Sequence, residues 1–537
     1  MIEQDNLLHL QNSSDVRGIA LPGVQGEEVN LTPDIARRIA ISFGEYIANK
    51  YNKSIDELRI GVGHDSRLSA DDLKNGVISG LLSLGCKVYD CGLSSTPSMF
   101  MGIVLEETHF DASIMITASH LPFNRNGLKF FDKDGGLNSE DIKEILTFAS
   151  KLPLDEGSVK DEAFTSNLQS AVQSLQVGNK DTGLKIGNLE GNIESLDLIS
   201  YYSEFLVNKI RVGVNSQDYD YPLKGLKIVV DAGNGSGGFF VDKVLKPLGA
   251  DTRGSQFLDP DGSFPNHIPN PENKEAMEAI SKATVDNKAD LGIIFDTDVD
   301  RAAVVFASGE EVNRNRLIGL IVAIISKYHP NTTVVTDSVT SDHLTYFIED
   351  GLSMKHHRFK RGYKNVINEA IKLNKEGNET HIAIETSGHC AFKENYFQDD
   401  GAYLIVRILI ETAICRNQGK SIEAMIENLK EPKESKEYRL NITAEDFKSY
   451  GDNVLKSFEE FANKQAGFYP VPNSFEGIRV SFHDAEVTGW MLLRMSLHDP
   501  IMPMNIEADT VGGVDIIIKR LLPFMEQQGQ LDISSLR

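Results

Sequence analysis

Strand-like runs that each end in a polar loop are the feature that most restricts how this 537-residue chain can fold. Residues 58–67 (LRIGVGHDSR), 112–120 (ASIMITASH) and 289–301 (ADLGIIFDTDVDR) each begin as a buried strand and end in a polar loop. The amphipathic pattern of residues 70–85 predicts a helix after the first run. Strands that alternate with helices predict mostly parallel sheets covered by helices, and the rhythm recurs often enough to predict three such units.

The C-terminal part has a different pattern. Residues 429–440 (LKEPKESKEYRL) are charged and contain proline, which predicts a linker. Short strand candidates after it, such as 476–482 (EGIRVSF) and 503–508 (PMNIEA), predict a smaller α+β domain. Residues 151–195 are polar and weakly periodic, which predicts an extended connection or an insertion with partial helix.

Charge and cysteine content narrow the class of protein. A net charge of −24 argues against a nucleic-acid surface, which needs a broad basic footprint, but it leaves room for a small anionic substrate. No secretion signal or membrane span is evident, so we expect a cytoplasmic protein without a membrane partner, unless a transit peptide has been removed. The four cysteines favour free thiols; a redox pair at Cys86 and Cys91, or a metal site, is less favoured because no CxxC or paired histidine accompanies them.

An acidic loop, FDTDVDR, carries the strongest chemical signal. Asp296, Asp298 and Asp300 alternate after a buried strand and would repel one another strongly without a cation. The calcium-loop pattern is incomplete, and a few carboxylates with a phosphate oxygen suit Mg²⁺. The loop therefore predicts a magnesium site, and Arg301 beside it could reach a phosphate or sugar.

A serine follows another strand, in ITASHLPFNRNGLKFF. The hydroxyl of Ser119 needs a base or an electrophile to become a nucleophile, and His120 and Lys129 are candidates for such help. A turn at Asn126-Gly127 could fold Lys129 back towards the serine. By itself, a Ser-His pair at a strand end is more often structural.

Two further loops carry polar groups that suit a sugar phosphate. In IETSGHC, Glu385 and Ser387 match vicinal sugar hydroxyls, and His389 could be an acid, a base or a hydrogen-bond donor near neutral pH, although a solvated turn also explains this segment. In RMSLHDP, Arg494, Ser496 and backbone amides could cradle a phosphate, a weak signal alone.

Three segments remain ambiguous. Arg17 in DVRG, and Asp65 with Arg67 in GHDSR, fit structural salt bridges as well as functional roles. The glycine-rich DAGNGSGG (231–238) does not match the dinucleotide-binding spacing cleanly, which favours a turn at the start of a helix.

The four loops together resemble the alpha-D-phosphohexomutase family. Its ordered signature is T-A-S-H-x-P, D-x-D-x-D-R, E-x-S-G-H and R-x-S-x-x-x-P, and all four occur here in that order. The resemblance implies an α/β fold of four domains around a central cleft: three similar α/β domains with mixed, mostly parallel sheets, and a C-terminal α+β domain. We expect these domains at residues 1–194, 195–313, 314–432 and 433–537.

The resemblance also implies an activity, namely reversible phosphoryl transfer between the 1- and 6-positions of a hexose phosphate. The carrier would be a phosphoserine, Mg²⁺ the cofactor and a hexose 1,6-bisphosphate the intermediate and activator. The implied catalytic residues are Ser119, His120, Lys129 and His389, with Lys129 and His389 unranked for proton transfer. The implied metal ligands are Asp296, Asp298, Asp300 and a phosphate oxygen on Ser119. The implied substrate-binding residues are Arg17, Arg301, Gly362, Tyr363, Lys364, Glu385, Ser387, Arg494, Ser496 and His498.

Departures from the family pattern leave the sugar open. Thr297 and Leu121 replace the common Gly and Asn, and Leu497-His498-Asp499 replaces a small-residue phosphate loop. We expect a phosphoglucomutase, with phosphomannomutase, phosphoglucosamine mutase, a sugar-bisphosphate synthase or phosphatase, and a non-catalytic phosphosugar-binding protein as alternatives. The expected partner is a small sugar phosphate, and the chain a monomer or dimer.

Overall fold

The computed structural model describes residues 6–153, 193–496 and 499–537, and the backbone of two short strands at 185–186 and 189–190. The chain forms two compact units. The first contains Met1–Asn313 and Ser387–Ile422, and the second contains Arg314–Thr386 and Glu423–Arg537. The four predicted domain boundaries stay predictions.

The N-terminal part of the first unit is a mixed sheet. Its region contains, in chain order, β1 (Gln11–Asn12), β2 (Asp15–Ile19), β3 (Arg59–His64), β4 (Lys87–Leu93), β5 (Ala112–Ile116), β6 (Arg125–Asp132), β7 (Gly135–Gly136), β8 (Lys185–Ile186), β9 (Leu189–Glu190) and β10 (Ile193–Ser195). β8 and β9 pair with each other, and the others form one sheet in the order β1-β2-β6-β5-β3-β4-β10, with β7 beside β6. β10, β4, β3 and β5 are parallel neighbours. β6 pairs antiparallel with both β5 and β2.

A second sheet follows in the same unit. It consists of β11 (Ile228–Asp231), β12 (Leu291–Phe295), β13 (Ala302–Phe306) and β14 (Glu311–Val312), in that order. β11 and β12 are parallel and the other two pairings are antiparallel. All of β12 is buried because both of its faces are covered, which explains its continuous apolar sequence.

The second unit contains two sheets. β15 (Thr333–Asp337), β16 (Lys355–Phe359) and β17 (Thr380–Ile384) are parallel, with β15 between the other two. A short strand, β18 (Cys390–Phe392), follows in the first unit. The last sheet is antiparallel and has the order β19-β23-β22-β21-β20, with β19 (Glu434–Asn441), β20 (Tyr469–Pro470), β21 (Ile478–His483), β22 (Thr488–Leu493) and β23 (Ile501–Ala508).

The linker predicted at residues 429–440 is wrong for most of its length. Glu434–Asn441 form β19, which pairs along its whole length with β23. Most side chains of β19 are exposed, so the strand is held by backbone hydrogen bonds rather than by an apolar face. Glu434 also accepts hydrogen bonds from the backbone amides of Gly512 and Val514.

Helices cover these sheets. In the first unit they are α1 (Pro33–Tyr51), α2 (Ala70–Ser83), α3 (Thr96–Val104), α4 (Ser139–Ala149), α5 (Leu198–Val214) and α6 (Lys274–Asp286). The remaining helices are α7 (Arg314–Ser326), α8 (Asp342–Tyr346), α9 (Tyr363–Lys375), α10 (Gly401–Asn417, in the first unit), α11 (Phe447–Ala462) and α12 (Gly513–Met525). The predicted apolar face of α2 is confirmed, since Leu73, Val77 and Leu81 are buried in the core.

Two further expectations can be compared with the structure. The four cysteines are free and buried, which confirms the free-thiol interpretation. Within the described ranges, no helix combines the length and the apolar character needed to cross a membrane. Most residues of the predicted insertion (151–195) lie outside the described residues.

Candidate active site

Ser119 lies in the turn between β5 and β6, in the first unit. Its φ of 50° is left-handed, which is uncommon for a residue other than glycine. The amide of Ser119 donates to the hydroxyl of Thr117 (2.8 Å), and the carbonyl of Ser119 accepts from Nη2 of Arg67 (2.5 Å). These contacts fix the backbone of the serine, which is only 8% exposed.

The hydroxyl of Ser119 contacts the acidic loop. It donates to Oδ2 of Asp296 (2.9 Å) and accepts from Nη2 of Arg301 (3.0 Å). Nδ1 of His120 is 3.4 Å away. The structure therefore places a carboxylate and a guanidinium directly on the predicted carrier oxygen.

The three aspartates of the acidic loop converge. One oxygen from each of Asp296, Asp298 and Asp300 lies within 4.8 Å of the others, and all three residues are buried. Oδ1 of Asp298 and Oδ1 of Asp300 are buried and have no hydrogen-bond partner among the described residues. Buried carboxylate oxygens are rarely left unpaired, so this donor set fits a hard divalent cation such as Mg²⁺.

Electrostatics agree with a cation site. Burial, with the neighbouring Asp300 charge, raises the pKa of Asp296 well above its usual value. Lys129 forms ion pairs with Asp298 (3.0 Å) and Asp300. Arg301 pairs with Asp296 (3.0 Å). Two protein cations thus partly compensate the acidic loop.

The hairpin turn predicted at Asn126-Gly127 is wrong. Both residues lie within β6, where Gly127 pairs with Arg17 of β2. A Cβ at Gly127 would lie 2.3 Å from the carbonyl of Val16, so close strand packing, rather than a turn, requires this glycine. Lys129 reaches the acidic loop because β6 runs antiparallel beside β5.

The glycine-rich segment 231–238 supports the acidic loop. The amide of Ser236 donates to the carbonyl of Thr297 (2.8 Å). A Cβ on Gly235 would lie 2.6 Å from that same carbonyl oxygen. The helix-start interpretation is confirmed, because 3₁₀ and π-helical turns follow at Ser236–Gly238 and Phe240–Leu245.

His120 is neutral in this environment. Burial lowers the pKa of His120 to about 3, and the adjacent charge of Arg301 adds to that shift, with a contribution from Arg17. Nη2 of Arg301 lies 2.7 Å from Nδ1 of His120, so the neutral ring can accept this hydrogen bond. His120 therefore orients Arg301 rather than supplying positive charge.

His389 is positively charged by contrast. Burial alone would lower the pKa of His389, but the carboxylates of Asp399 and Asp300 outweigh burial and raise it to about 9. Nδ1 of His389 lies 2.5 Å from Oδ2 of Asp399 and 3.9 Å from Oδ1 of Asp300. The ring thus carries its positive charge beside the acidic loop.

The two arginines that the sequence left ambiguous serve the serine loop. Nη1 of Arg17 donates to the carbonyl of Thr117 (2.7 Å), and Nη2 pairs with Asp15. Arg67 donates to the carbonyls of Ser119, Leu121, Pro122 and Arg125. Its ion pair with Asp65 is longer, at 3.5 Å, so backbone anchoring is the main contribution of Arg67.

The segment IETSGHC (384–390) divides between the two units. Glu385 belongs to the second unit, where its Oε1 accepts from the amide of Gly362 (2.6 Å). Tyr363 and Lys364 begin α9 directly after Gly362. Ser387 and His389 belong to the first unit. Glu385, Ser387 and His389 lie in the segment that follows β17, as predicted.

Arg494 and Ser496 follow β22 in the second unit. Nη1 of Arg494 is 3.6 Å from Oε1 of Glu476, and Nε of Arg494 is buried with no hydrogen-bond partner within the described ranges. The hydroxyl of Ser496 accepts from the amide of Asp499 (3.2 Å). The predicted residue His498 and its neighbour Leu497 lie outside the described residues.

Several residues that support this site were missed at the sequence level. Thr96 contacts the acidic loop, and Asp399 contacts His389. Glu476 contacts Arg494. Their partners lie far away along the chain, except for Asp399. The Ser-Thr-Pro start of α3 signals a helix cap but not a site, and we find no local signal for the others.

Comparison with known proteins agrees with this geometry. Models described as "Phosphoglucomutase/phosphomannomutase, alpha/beta/alpha domain" I, II and III match residues 9–153, 200–309 and 313–432. The chain belongs to the alpha-D-phosphohexomutase family. It is accordingly a phosphohexomutase, an isomerase acting on hexose phosphates. The mixed sheets and the additional C-terminal sheet confirm the predicted multi-domain fold class.

Individual relatives span nearly the whole chain. A phosphoglucomutase of Neisseria gonorrhoeae is 27% identical over 476 residues, which cover 88% of this chain and 90% of that protein. A phosphomannomutase/phosphoglucomutase of Pseudomonas syringae is 28% identical over 465 residues, with 86% of each covered. A solved structure of a phosphoglucomutase/phosphomannomutase family protein from Burkholderia thailandensis has a TM-score of 0.71 at 24% identity, covering 98% of this chain and 97% of that one. The last likeness concerns the fold alone.

Proposed function

We propose that this phosphohexomutase interconverts glucose 1-phosphate and glucose 6-phosphate through a phosphoserine at Ser119 and a glucose 1,6-bisphosphate intermediate. The observation that carries the proposal is the contact of the Ser119 hydroxyl with Asp296 and Arg301, at 2.9 and 3.0 Å. A hydroxyl in this position lies between a carboxylate and a fixed cation, which suits a group that carries phosphate.

We propose Asp296, Asp298 and Asp300 as the ligands of Mg²⁺, with a phosphate oxygen on Ser119 as a further ligand. Bound there, the ion would neutralise charge on the transferring phosphoryl group. Arg301 touches Ser119 Oγ and so lies where the phosphoryl group would be attached. His120, neutral and bonded to Arg301, fixes its guanidinium in this direction.

The proposed transfer breaks the Oγ–P bond of phosphoserine and forms an O–P bond to a sugar hydroxyl. The proton of that hydroxyl passes to an unprotonated group of the site, and the serine oxygen that loses its phosphoryl group takes up a proton; both transfers reverse when the second phosphoryl group moves back to Ser119. His389 and Lys129 are the candidates for these proton transfers. The pKa of His389, raised to about 9, makes its protonated form the proton donor at neutral pH.

We assign substrate binding mainly to loops of the second unit. Glu385 and Ser387 would hold two sugar hydroxyls, and Gly362, Tyr363 and Lys364 would contact the substrate beside them. Arg494, Ser496 and His498 would bind the phosphate that is not being transferred, and Arg17 and Arg301 the reacting one. The buried Nε of Arg494, which has no acceptor among the residues that the structure describes, supports its part of this assignment, because such a guanidinium nitrogen suits an anion.

A substrate panel tests the proposal. Phosphates of glucose, mannose, glucosamine and N-acetylglucosamine are compared in coupled assays with Mg²⁺ and a catalytic amount of the matching bisphosphate, and the mass of the Ser119 peptide is followed. We expect the largest kcat/KM with glucose 1-phosphate and a phosphorylated Ser119. A preference for another sugar would correct the substrate, whereas absence of turnover with every sugar would contradict the mutase mechanism.

A further inference from the structure

The start of α3 lies directly against the acidic loop. Thr96 is the first residue of this helix, and its backbone amide donates to the carbonyl of Asp298 (2.8 Å). The hydroxyl of Thr96 donates to Oδ2 of the same aspartate at 2.5 Å. One threonine therefore holds both the backbone and the side chain of Asp298, although the two residues are 202 positions apart.

The hydroxyl of Thr96 is not needed to cap its own helix. Ser95 and Ser98 form a reciprocal capping box, in which each side chain accepts from the backbone amide of the other. The Thr96 hydroxyl is directed instead at the carboxylate. Its contribution is thus specific to the acidic loop.

The two oxygens of Asp298 have unequal surroundings. Oδ2 accepts from Thr96 and also from Nζ of Lys129 (3.0 Å). Oδ1 is fully buried, and no residue in the described part of the chain forms a hydrogen bond with it. Leaving a buried carboxylate oxygen unpaired is unfavourable by about 1–3 kcal/mol, so such an atom points to a missing ligand.

We propose that Thr96 is a positioning residue for the divalent cation. By holding Oδ2, it fixes the carboxylate of Asp298 so that Oδ1 stays available to the ion. The inference rests on the proposed metal site formed by the three aspartates. Partners that orient a metal-binding carboxylate typically change metal affinity by about 10- to 100-fold when they are removed.

The test compares Mg²⁺ affinity, measured by calorimetry on EDTA-treated protein, among variants of Thr96. Thr96→Val removes the hydroxyl while keeping the shape, and Thr96→Ala removes it without the added methyl group. We expect both to bind Mg²⁺ about 10- to 100-fold more weakly. Thr96→Ser keeps the hydroxyl and should restore wild-type affinity.

Thr108→Val is the matched control. Thr108 is also buried and donates to the carbonyl of Gly102 (2.7 Å) at the other end of the same helix. Because each substitution removes one buried hydrogen bond, Thr108→Val and Thr96→Val should both lower the thermal midpoint. Only Thr96→Val should weaken Mg²⁺ binding.

Three outcomes would overturn the inference. Unchanged affinity in Thr96→Val and Thr96→Ala would show that Thr96 does not position the ligand. Equal weakening in Thr108→Val would assign the effect to general loss of stability. If the wild-type protein itself binds no Mg²⁺, both the proposed metal site and the role of Thr96 are rejected. If the wild type binds Mg²⁺ and the Thr96 variants bind it equally well, only the role of Thr96 is rejected.

Discussion

Two residues near the proposed chemistry hold unfavourable backbone conformations. Ser119 has a φ of 50° and Val299, between two of the aspartates, has a φ of 67°. A β-branched residue at positive φ is strained by about 1–3 kcal/mol, and such strain persists only where surrounding contacts enforce it. Around Ser119 the enforcing contact is the guanidinium of Arg67, which binds four carbonyls of the turn.

Ser119→Ala should reduce kcat at least about 10³-fold, because no other hydroxyl replaces the proposed phosphoryl carrier. The fold should persist, since alanine fits the space of serine. Ser113→Ala is the control: its buried hydroxyl donates to the carbonyl of Met99 in the same domain but lies outside the proposed machinery. Turnover in Ser119→Ala close to that of Ser113→Ala would contradict the phosphoserine mechanism.

Arg67→Lys should lower both stability and kcat. Lysine carries a single ammonium and cannot bind four carbonyls in the planar arrangement of arginine, so we expect a loss of about 3 kcal/mol and a Ser119 turn that relaxes. Thermal unfolding and kcat measure the two effects. Arg253→Lys, at the exposed pair with Asp251, is the control and should change neither the thermal stability nor kcat. If Arg67→Lys also left both unchanged, the anchoring role of Arg67 would be rejected.

The acidic loop is held in place by the segments at which two helices begin. The segment around Gly235 holds Thr297, and the start of α3 holds Asp298. Two successive carbonyls of the loop are therefore fixed by amides from two different helix starts.

Gly235→Ala should displace this loop. The added Cβ would lie 2.6 Å from the carbonyl oxygen of Thr297 and 3.0 Å from its carbonyl carbon, and backbone cannot yield as a side chain tip can. We expect about 1–3 kcal/mol of destabilisation and weaker Mg²⁺ binding, measured by thermal unfolding and calorimetry. Gly529→Ala is the control, because a Cβ added there would meet no atom of the described residues within 4 Å. It should leave stability and Mg²⁺ binding unchanged. Wild-type Mg²⁺ affinity in Gly235→Ala would show that the loop is not packed as closely as described.

In the second unit, Glu476 joins loops that follow different strands. Its Oε2 accepts from the hydroxyl of Ser338 (2.5 Å) and from the amide of Arg361 (3.1 Å), while Oε1 faces Arg494. The next residue after Arg361, Gly362, donates to Glu385. The proposed phosphate-binding and sugar-binding side chains are thus connected through one carboxylate.

Glu476→Gln should raise KM about tenfold with little change in kcat. The amide oxygen can still accept from Ser338 and Arg361, but the charge that orients Arg494 is lost. Glu486→Gln, at a surface pair with Arg520, is the matched control and should leave KM unchanged. A fall in kcat at constant KM would place Glu476 in the chemical step and contradict a role in substrate binding.

Sequence patterns predicted several elements whose positions are determined by burial. β3, β5 and β12 are confirmed where apolar runs had been found, and α2 buries the face that its periodicity indicated. β19 was missed because an edge strand with exposed charged side chains has no apolar pattern. The turn predicted at Asn126-Gly127 was wrong because this dipeptide is common in tight turns, whereas here its glycine allows the close pairing of β6 with β2.

At the scale of the whole molecule, the proposed chemistry and most of the proposed substrate contacts lie in different units. Ser119, the three aspartates, Lys129 and His389 belong to the first unit. Glu385, Gly362, Arg494 and Ser496 belong to the second. The four motifs, with the short segments around Lys129 and Gly362, were enough to name these residues, because each of these signals is local in the sequence. Their supporting contacts, such as that of Thr96 with Asp298, depend on tertiary packing and leave no local trace in the sequence.

His389 also links the site to the stability of the metal-free molecule. Its folded-state pKa of about 9 lies above the ordinary value of 6.5, so its ion pairs stabilise the fold fully below about pH 6.5. This contribution, about 3 kcal/mol, is lost as pH rises through about 9, with a slope of at most about 1.4 kcal/mol per pH unit. In EDTA, the thermal midpoint of the wild type should therefore fall across this window.

His389→Asn removes the titrating ring and should make the thermal midpoint less dependent on pH between about 6.5 and 9, since the stabilising charge is absent throughout. His109→Asn is the matched control, because His109 is exposed and its φ of 48° is one that asparagine readily adopts. It should keep the wild-type pH dependence. The same slope in all three proteins would mean that His389 is not held protonated by Asp399 and Asp300, and would remove the basis for its role as a proton donor.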